Sequence, residues 1–253
     1  MTARIAGGAV SVAAVVLAAS CTHFYEIPIE TPIRSQLDVT PFQRVLVAGF
    51  IAGGSQDIDA NVETTRLLRS QLRTKSALRV IDADTLPLME VAMKRDGEPG
   101  SDSPAGAPPA IKEEKDLELY KPLFANTAYW KGIGDEYQQP LIVTGTVMFT
   151  PQERTQQLIR NEEQYDSFGR RTTAPVRVYQ DRKGFLLKPT FIFIDGRTGA
   201  PIHTESFSEE ILYSANQQTP ALSSYFELMD RLIPSVLGAL SSQKIKGTRF
   251  LLQ

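Results

Sequence analysis

The first 21 residues read as an export signal, and so they remove themselves from whatever the rest of the chain folds into. Met1–Cys21 opens with one basic residue, Arg4, continues through an apolar run from Ala9 to Ala19, and closes on Ala18-Ala19-Ser20-Cys21. Basic start, short apolar centre and small residues at the end are the order of a secretory signal. The run is shorter than the roughly 20 apolar residues a membrane helix needs. Cys21 is the only cysteine in the chain, so the exported part can form no internal disulfide even though its compartment permits one.

The same stretch resembles a bacterial lipoprotein signal, in which the cysteine is acylated and becomes the first mature residue. Ala18 stands three places before the cysteine where such signals carry leucine, and Leu17 sits one place earlier. The resemblance implies a signal peptide over residues 1–20 and a palmitate-type lipid anchor at Cys21. The residue after the cysteine is Thr22 and not aspartate, which implies sorting to the outer membrane with the domain facing the periplasm. The other reading of the residues is a soluble secreted protein with an incidental thiol.

What remains is about 230 residues, enough for one large domain or two small ones. A formal net charge of −2 argues against a nucleic-acid partner. Two histidines, His23 and His203, with a single cysteine leave no usual ligand set for zinc. The expectation is no metal, no cofactor and no catalytic residues.

Residues 21–43 read as an extended tether, with Pro28, Pro32 and Pro41 stiffening it. A single α+β domain is expected over 44–253. Arg44–Phe50 is a short apolar run, read as a buried strand. Ala52–Ser55 reads as a glycine-rich turn, followed by a helix over Ala60–Lys75 capped by Asp57 or Asp59. Val62, Leu68 and Leu72 mark its inner face, with Thr65 between them, and Arg66, Arg69 and Arg73 lie toward the solvated one. Leu78–Ile81 is a second strand, and Leu86–Lys94 a short helix. Residues 95–110, rich in proline and glycine, read as a disordered loop. A helix follows from Ile111 to about Gly132, with Leu117, Phe124 and Trp130 as core contacts.

Leu141–Phe149 is a strand with Gly145 at a point of close packing. Residues 151–184 are a polar insertion, a soluble arm or a flexible loop. Phe185–Asp195 and Ile202–Tyr213 form a long hairpin, with Gly196 and Gly199 supplying positive φ at its turn. Thr219-Pro220 opens a last helix to Gln243, with Leu222, Phe226, Met229, Ile233, Val236, Leu237 and Leu240 as its buried stripe and Pro234 kinking it. The order β-α-β-(α)-α-β-β-β-α gives a mixed sheet covered by helices, an α+β sandwich.

In that order the chain resembles the curli-secretion lipoprotein family (the CsgG group). The same fold joins it to the lipoprotein activators of penicillin-binding proteins and the amino-terminal domain of TolB. The likeness is carried by Pro41–Phe50, the amphipathic helix, Leu78-Arg79-Val80-Ile81-Asp82, Pro140-Leu141-Ile142-Val143-Thr144-Gly145 and Phe191–Glu205. It implies an envelope lipoprotein that works through protein–protein contact, as a binding, assembly or regulatory accessory subunit with a partner the sequence leaves unidentified. A homo-oligomer or a place in a larger envelope complex fits the same family. The alternative is an oligomeric secretion-channel subunit whose hairpins enter a shared barrel. Barrel strands need about 9–11 residues with alternating lipid-facing apolar positions. The insertion, with Glu162, Glu163, Asp166, Arg170, Arg171, Asp181, Arg182 and Lys183, does not show that alternation.

A more distant alternative is a nicotinamide-dependent short-chain dehydrogenase. Gly49, Gly53 and Gly54 lie between strand and helix, Asp82 ends the next strand, and Tyr179 and Lys183 have Tyr-x-x-x-Lys spacing. The glycines do not follow G-x-G-x-x-G. His203 and Glu205 share one strand face and read as a hydrogen-bonded surface pair.

Overall fold

The computed structural model describes residues 24–33, 35–96, 111–165, 167–214, 217, 220–240 and 243–252. Cys21 and the signal, His23, Asp166, and nearly all of the proline- and glycine-rich stretch (97–110) lie outside them.

The chain divides into two compact units, one formed by residues 36–241 and the other by the segments at its two ends. In the latter, β1 (Phe24–Ile33) pairs antiparallel with β8 (Gln243–Leu252), from Phe24↔Leu252 to Ile33↔Gln243. The sequence reading treats Phe24–Ile33 as tether and carries one domain to the end of the chain. Both segments are instead strands of their own ribbon. Pro28 and Pro32 stand four residues apart, so the strand's missing donors fall along one edge.

The larger unit is α+β. Its strands are β2 (Arg44–Gly54), β3 (Arg79–Val80), β4 (Leu141–Tyr165), β5 (Arg171–Asp195), β6 (Pro201–Ser206) and β7 (Glu209–Ser214). They lie in the order β3-β2-β4-β5-β6, with β7 also on β5. β2 is parallel to β3 and β4; every pairing of β5 is antiparallel. The helices are α1 (Ala60–Lys75), α2 (Leu88–Asp96), α3 (Lys121–Phe124), α4 (Thr127–Glu136) and α5 (Ala221–Leu240), with a 3-10 turn over Glu114–Tyr120.

Strand alternation builds two cores, one on each face of the sheet. Val45, Val47, Leu141, Val143, Phe191 and Phe193 face α1 and α5. Leu46, Ala48, Ile142, Ile192 and Ile194 face α2, α3 and α4. Strands buried on both sides read as continuous apolar runs, which is why Arg44–Phe50 is recognisable as a strand. A bulge between Val47 and Gly49 changes the phase, so that Phe50 joins the first core and Ile51 the second. Gly49 takes φ 117° there, a conformation glycine adopts without strain.

The helix that looked widest on sequence is broken. Residues 111–132 form the 3-10 turn, α3 and the first half of α4, with Asn126 capping α4 by accepting from the Tyr129 N–H at 3.3 Å. Leu117, Phe124 and Trp130 are buried as expected, and the Trp130 indole donates to the Leu123 carbonyl at 3.0 Å. On α1 the inner face is centred on Thr64, Thr65, Leu68 and Leu72, and Val62 is exposed. Burial of two threonines shifts the face away from the purely apolar residues. The Thr64 hydroxyl meets the Tyr225 hydroxyl, which ties α1 to α5, and burial pushes the Tyr225 phenol well above its usual pKa.

At the β5–β6 turn only Gly199 has positive φ (74°); Gly196 is needed because a Cβ there would lie 2.4 Å from the Pro140 carbonyl oxygen. Arg197 binds Asp195 through two nitrogens and holds its carboxyl below the usual carboxylate range. In α5, Met229 and Ile233 are almost fully buried, and the helix runs through Pro234 to Leu240. Each of Met229→Ala and Ile233→Ala should cost roughly 2–5 kcal/mol. At about 2–4 °C per kcal/mol, calorimetry should record a fall of several degrees to about 20 °C.

Candidate functional site

The polar insertion is the continuation of β4 and β5. Their pairing is unbroken from Leu141↔Asp195 to Tyr165↔Arg171. β2 leaves β4 at Phe149, and β7 leaves β5 at Arg182. Beyond those points Thr155–Tyr165 and Arg171–Asp181 form a ribbon of two strands, about 35 Å long at the usual rise per residue. The described residues among 151–184 thus belong to two long paired strands and the turn between them. Low hydrophobicity hides the strands; the β-favouring Thr172, Thr173, Val176, Val178 and Tyr179 were the signal for them.

A two-stranded ribbon is marginal alone. This one is tied by Lys183 to Glu153 at 2.7 Å, by the Thr155 hydroxyl to Asp181 at 2.7 Å, and by Arg171 to Glu163. All are exposed, so each contributes little. Cross-strand partners share a face. The even-numbered face pairs Leu158 with Val178 and Arg160 with Val176, and its apolar side chains are half-buried. The odd-numbered face pairs Ile159 with Arg177, Gln157 with Tyr179 and Tyr165 with Arg171. Ile159, Tyr165 and Tyr179 are 73%, 71% and 68% exposed, and Phe168 at the turn is 81% exposed, with the Arg170 guanidinium 5.4 Å from its ring centre.

A second concavity, of about 570 Å³, lies where β2 ends, between the start of α1 and the start of α2. The glycines that suggested a dinucleotide turn are here, but β2 continues through them, with Ala52–Gly54 paired to Val147–Phe149. A Cβ on Gly53 would meet Ile111 at 2.5 Å, and one on Gly54 would meet the Phe149 carbonyl oxygen at 2.1 Å. Both glycines thus serve packing. The α1 amino terminus is occupied by the Asp59 carboxylate, which accepts from the Val62 N–H at 3.1 Å. Asp59 and Glu90 line the cleft, so a diphosphate would meet negative charge where a nucleotide site supplies free N–H donors.

The bulge beside that cleft explains three polar side chains. Asn61 accepts from the Phe50 N–H at 2.7 Å, Thr144 donates to the Gly49 carbonyl at 2.9 Å, and Arg69 donates to the Val47 carbonyl at 2.9 Å. Arg69, read on sequence as part of a solvated basic face, is thus half-buried and serves the backbone. Burial lowers its pKa. Arg73 pairs with Asp82, which therefore does not aim at the glycines. Tyr179 and Lys183 lie on one face of the arm, the lysine already bound to Glu153. His203 Nε2 is 3.9 Å from Glu205 Oε2, too long for the expected hydrogen bond, and its ring leans on Phe193.

No protein-family model matches the chain, and no curated protein sequence does. Among solved structures it is similar to lipoprotein GNA1162 from Neisseria meningitidis, at 11% identity over 77% of this chain and 97% of that one, with a TM-score of 0.33. It is also similar to the hypothetical protein CT253 from Chlamydia trachomatis, at 11% identity over 78% and 97% of the two chains, with a TM-score of 0.34. One of these is a lipoprotein; neither name carries an activity.

Proposed function

We propose that the protein is a lipid-anchored bacterial envelope protein of the CsgG-like kind, facing the periplasm, that binds a protein partner through its β-arm and catalyses nothing. The anchor rests on Met1–Cys21. The observation that carries the binding role is the arm itself. It holds Ile159, Tyr165, Phe168 and Tyr179 in water, on a ribbon that adds almost nothing to either core. Exposed aromatic residues with arginine beside them are the composition of interface centres.

The length of the hairpin favours one second reading, a subunit of an outer-membrane channel. Its side chains weigh against it. The even face would place Arg154, Arg160 and Arg182 against lipid, and the odd face Glu163, Arg177 and Lys183. Each arginine or lysine facing lipid near the midplane costs about 2–4 kcal/mol.

Replacing residues 157–179 by a short Gly/Ser linker between the paired Gln156 and Gln180 tests the reading. The described residues among them lie in neither core, so the melting temperature should stay within about 2 °C, since exposed changes are usually within about 0.5 kcal/mol. Capture of the envelope partner by crosslinking should be lost. Early melting would make the arm part of the fold; capture at native strength would place the binding site elsewhere.

A further inference from the structure

The two faces of the arm are not equivalent, and the difference specifies the partner's chemistry. On the even face the apolar side chains Leu158, Val176 and Val178 are half shielded. On the odd face Ile159, Tyr165 and Tyr179 are exposed, and the acids near both ends already have partners. Glu153 is bound by Lys183, Glu163 by Arg171, and Asp181 takes the Thr155 hydroxyl. Arg177, in the middle, is the exception: among the described residues it has no hydrogen-bond or ion-pair partner. It lies directly opposite Ile159, and Tyr179 is the next residue on the same face and strand. Arg160 on the even face also lacks a partner among the described residues, but only Arg177 stands beside apolar side chains that are themselves exposed.

We propose that this odd-numbered face, centred on Ile159, Arg177 and Tyr179, docks onto a different protein that presents a carboxylate beside an apolar surface. This rests on the reading of the arm as the binding element and names the side of it and the partner's charge. Arginine supplies a planar fork that matches a carboxylate, and the flanking side chains exclude water from the pair. The strand edges are poor alternatives. Pro175 lacks a donor, and charged residues recur along both strands, features that discourage edge pairing. A lipid surface fits less well, because Arg171, Arg177 and Lys183 on this face are balanced by Glu153, Glu163 and Asp181, which leaves no net attraction to anionic headgroups. Face-to-face pairing with a second copy about a two-fold axis through this centre would oppose Arg177 to Arg177.

The test places a photoreactive residue, one position at a time, at 159 and 179 on the odd face and at 158 and 180 on the even face. The full-length protein is used in its native envelope. Irradiation should join 159 and 179 to one and the same protein, in a segment containing Asp or Glu, at least about tenfold more than 158 and 180. Adding Arg177→Glu should lower the yield from position 179 about tenfold, the equivalent of about 1.4 kcal/mol. Reversing the contacted acid to arginine in the partner should restore it. Equal labelling from both faces, adducts to phospholipid or to a second copy, or a yield indifferent to Arg177→Glu overturns the inference. Protein adducts from the even face alone would overturn it while leaving the arm as the binding element. Absence of protein adducts from every arm position would overturn both.

Discussion

Changing Cys21 to serine is expected to move the protein from the membrane fraction to the soluble fraction completely. Buried acyl chain is worth about 0.8 kcal/mol per CH₂, and one chain alone holds a protein only marginally. A lipoprotein cysteine carries two or three chains, so the anchor is permanent where it forms and nothing replaces it when it is removed. Among the described residues no helix is long and apolar enough to cross a membrane. Fractionation with an alkaline wash reads the outcome. Retention of Cys21→Ser in the washed membranes would show that another part of the chain inserts, and would sink the lipid-anchor reading.

Gly145→Ala is expected to be the most damaging single methyl in the described sheet. Gly145 has φ 145°, and a Cβ there would lie 1.8 Å from the Thr190 carbonyl oxygen, where β4 and β5 carry both cores. Backbone strain costs about 1–3 kcal/mol and overpacking about as much again. At about 2–4 °C per kcal/mol the melting temperature should fall by roughly 5–20 °C. Gly132→Ala is the matched control. It sits in α4 with nothing within 4 Å of the added methyl, so it should raise stability by about 0.4–1 kcal/mol. Equal melting of the two variants would mean that the sheet gives way at Gly145 without cost.

The parts of the fold legible in the sequence were those where one physical pattern acts alone. Arg44–Phe50 and Leu141–Phe149 are apolar on both faces and announce buried strands. The stripe of Met229, Ile233, Val236, Leu237 and Leu240 announces α5, although Leu222, read as its first member, is exposed and Leu228 and Leu232 are buried beside it. Patterns that mix two demands misled. On α1, Thr64 is buried because the Ala60 carbonyl and the Tyr225 hydroxyl of a distant helix take up its hydroxyl, so hydrophobicity alone chose Val62 in error. Ala52–Gly54 looked like a turn, since glycine marks turns more often than the close approach of Ile111 and Phe149 that requires it here. The candidate site was half legible. Residues 151–184 stood out by charge, but their two faces depend on the register between strands, and no local pattern gives that register. Tyr179 drew attention for its spacing from Lys183. Its partner in the site is Arg177, two residues away on the same face.

Under the proposed function this protein acts by contact and opens no path through a membrane. Electrical recording across planar bilayers, after addition of the acylated full-length protein in detergent, tests that most directly. The expected result is a silent bilayer at every voltage and protein concentration, with the protein bound to it. Stepwise conductance that vanishes when residues 157–179 are replaced by a short Gly/Ser linker would contradict the account and make the arm a pore-forming hairpin.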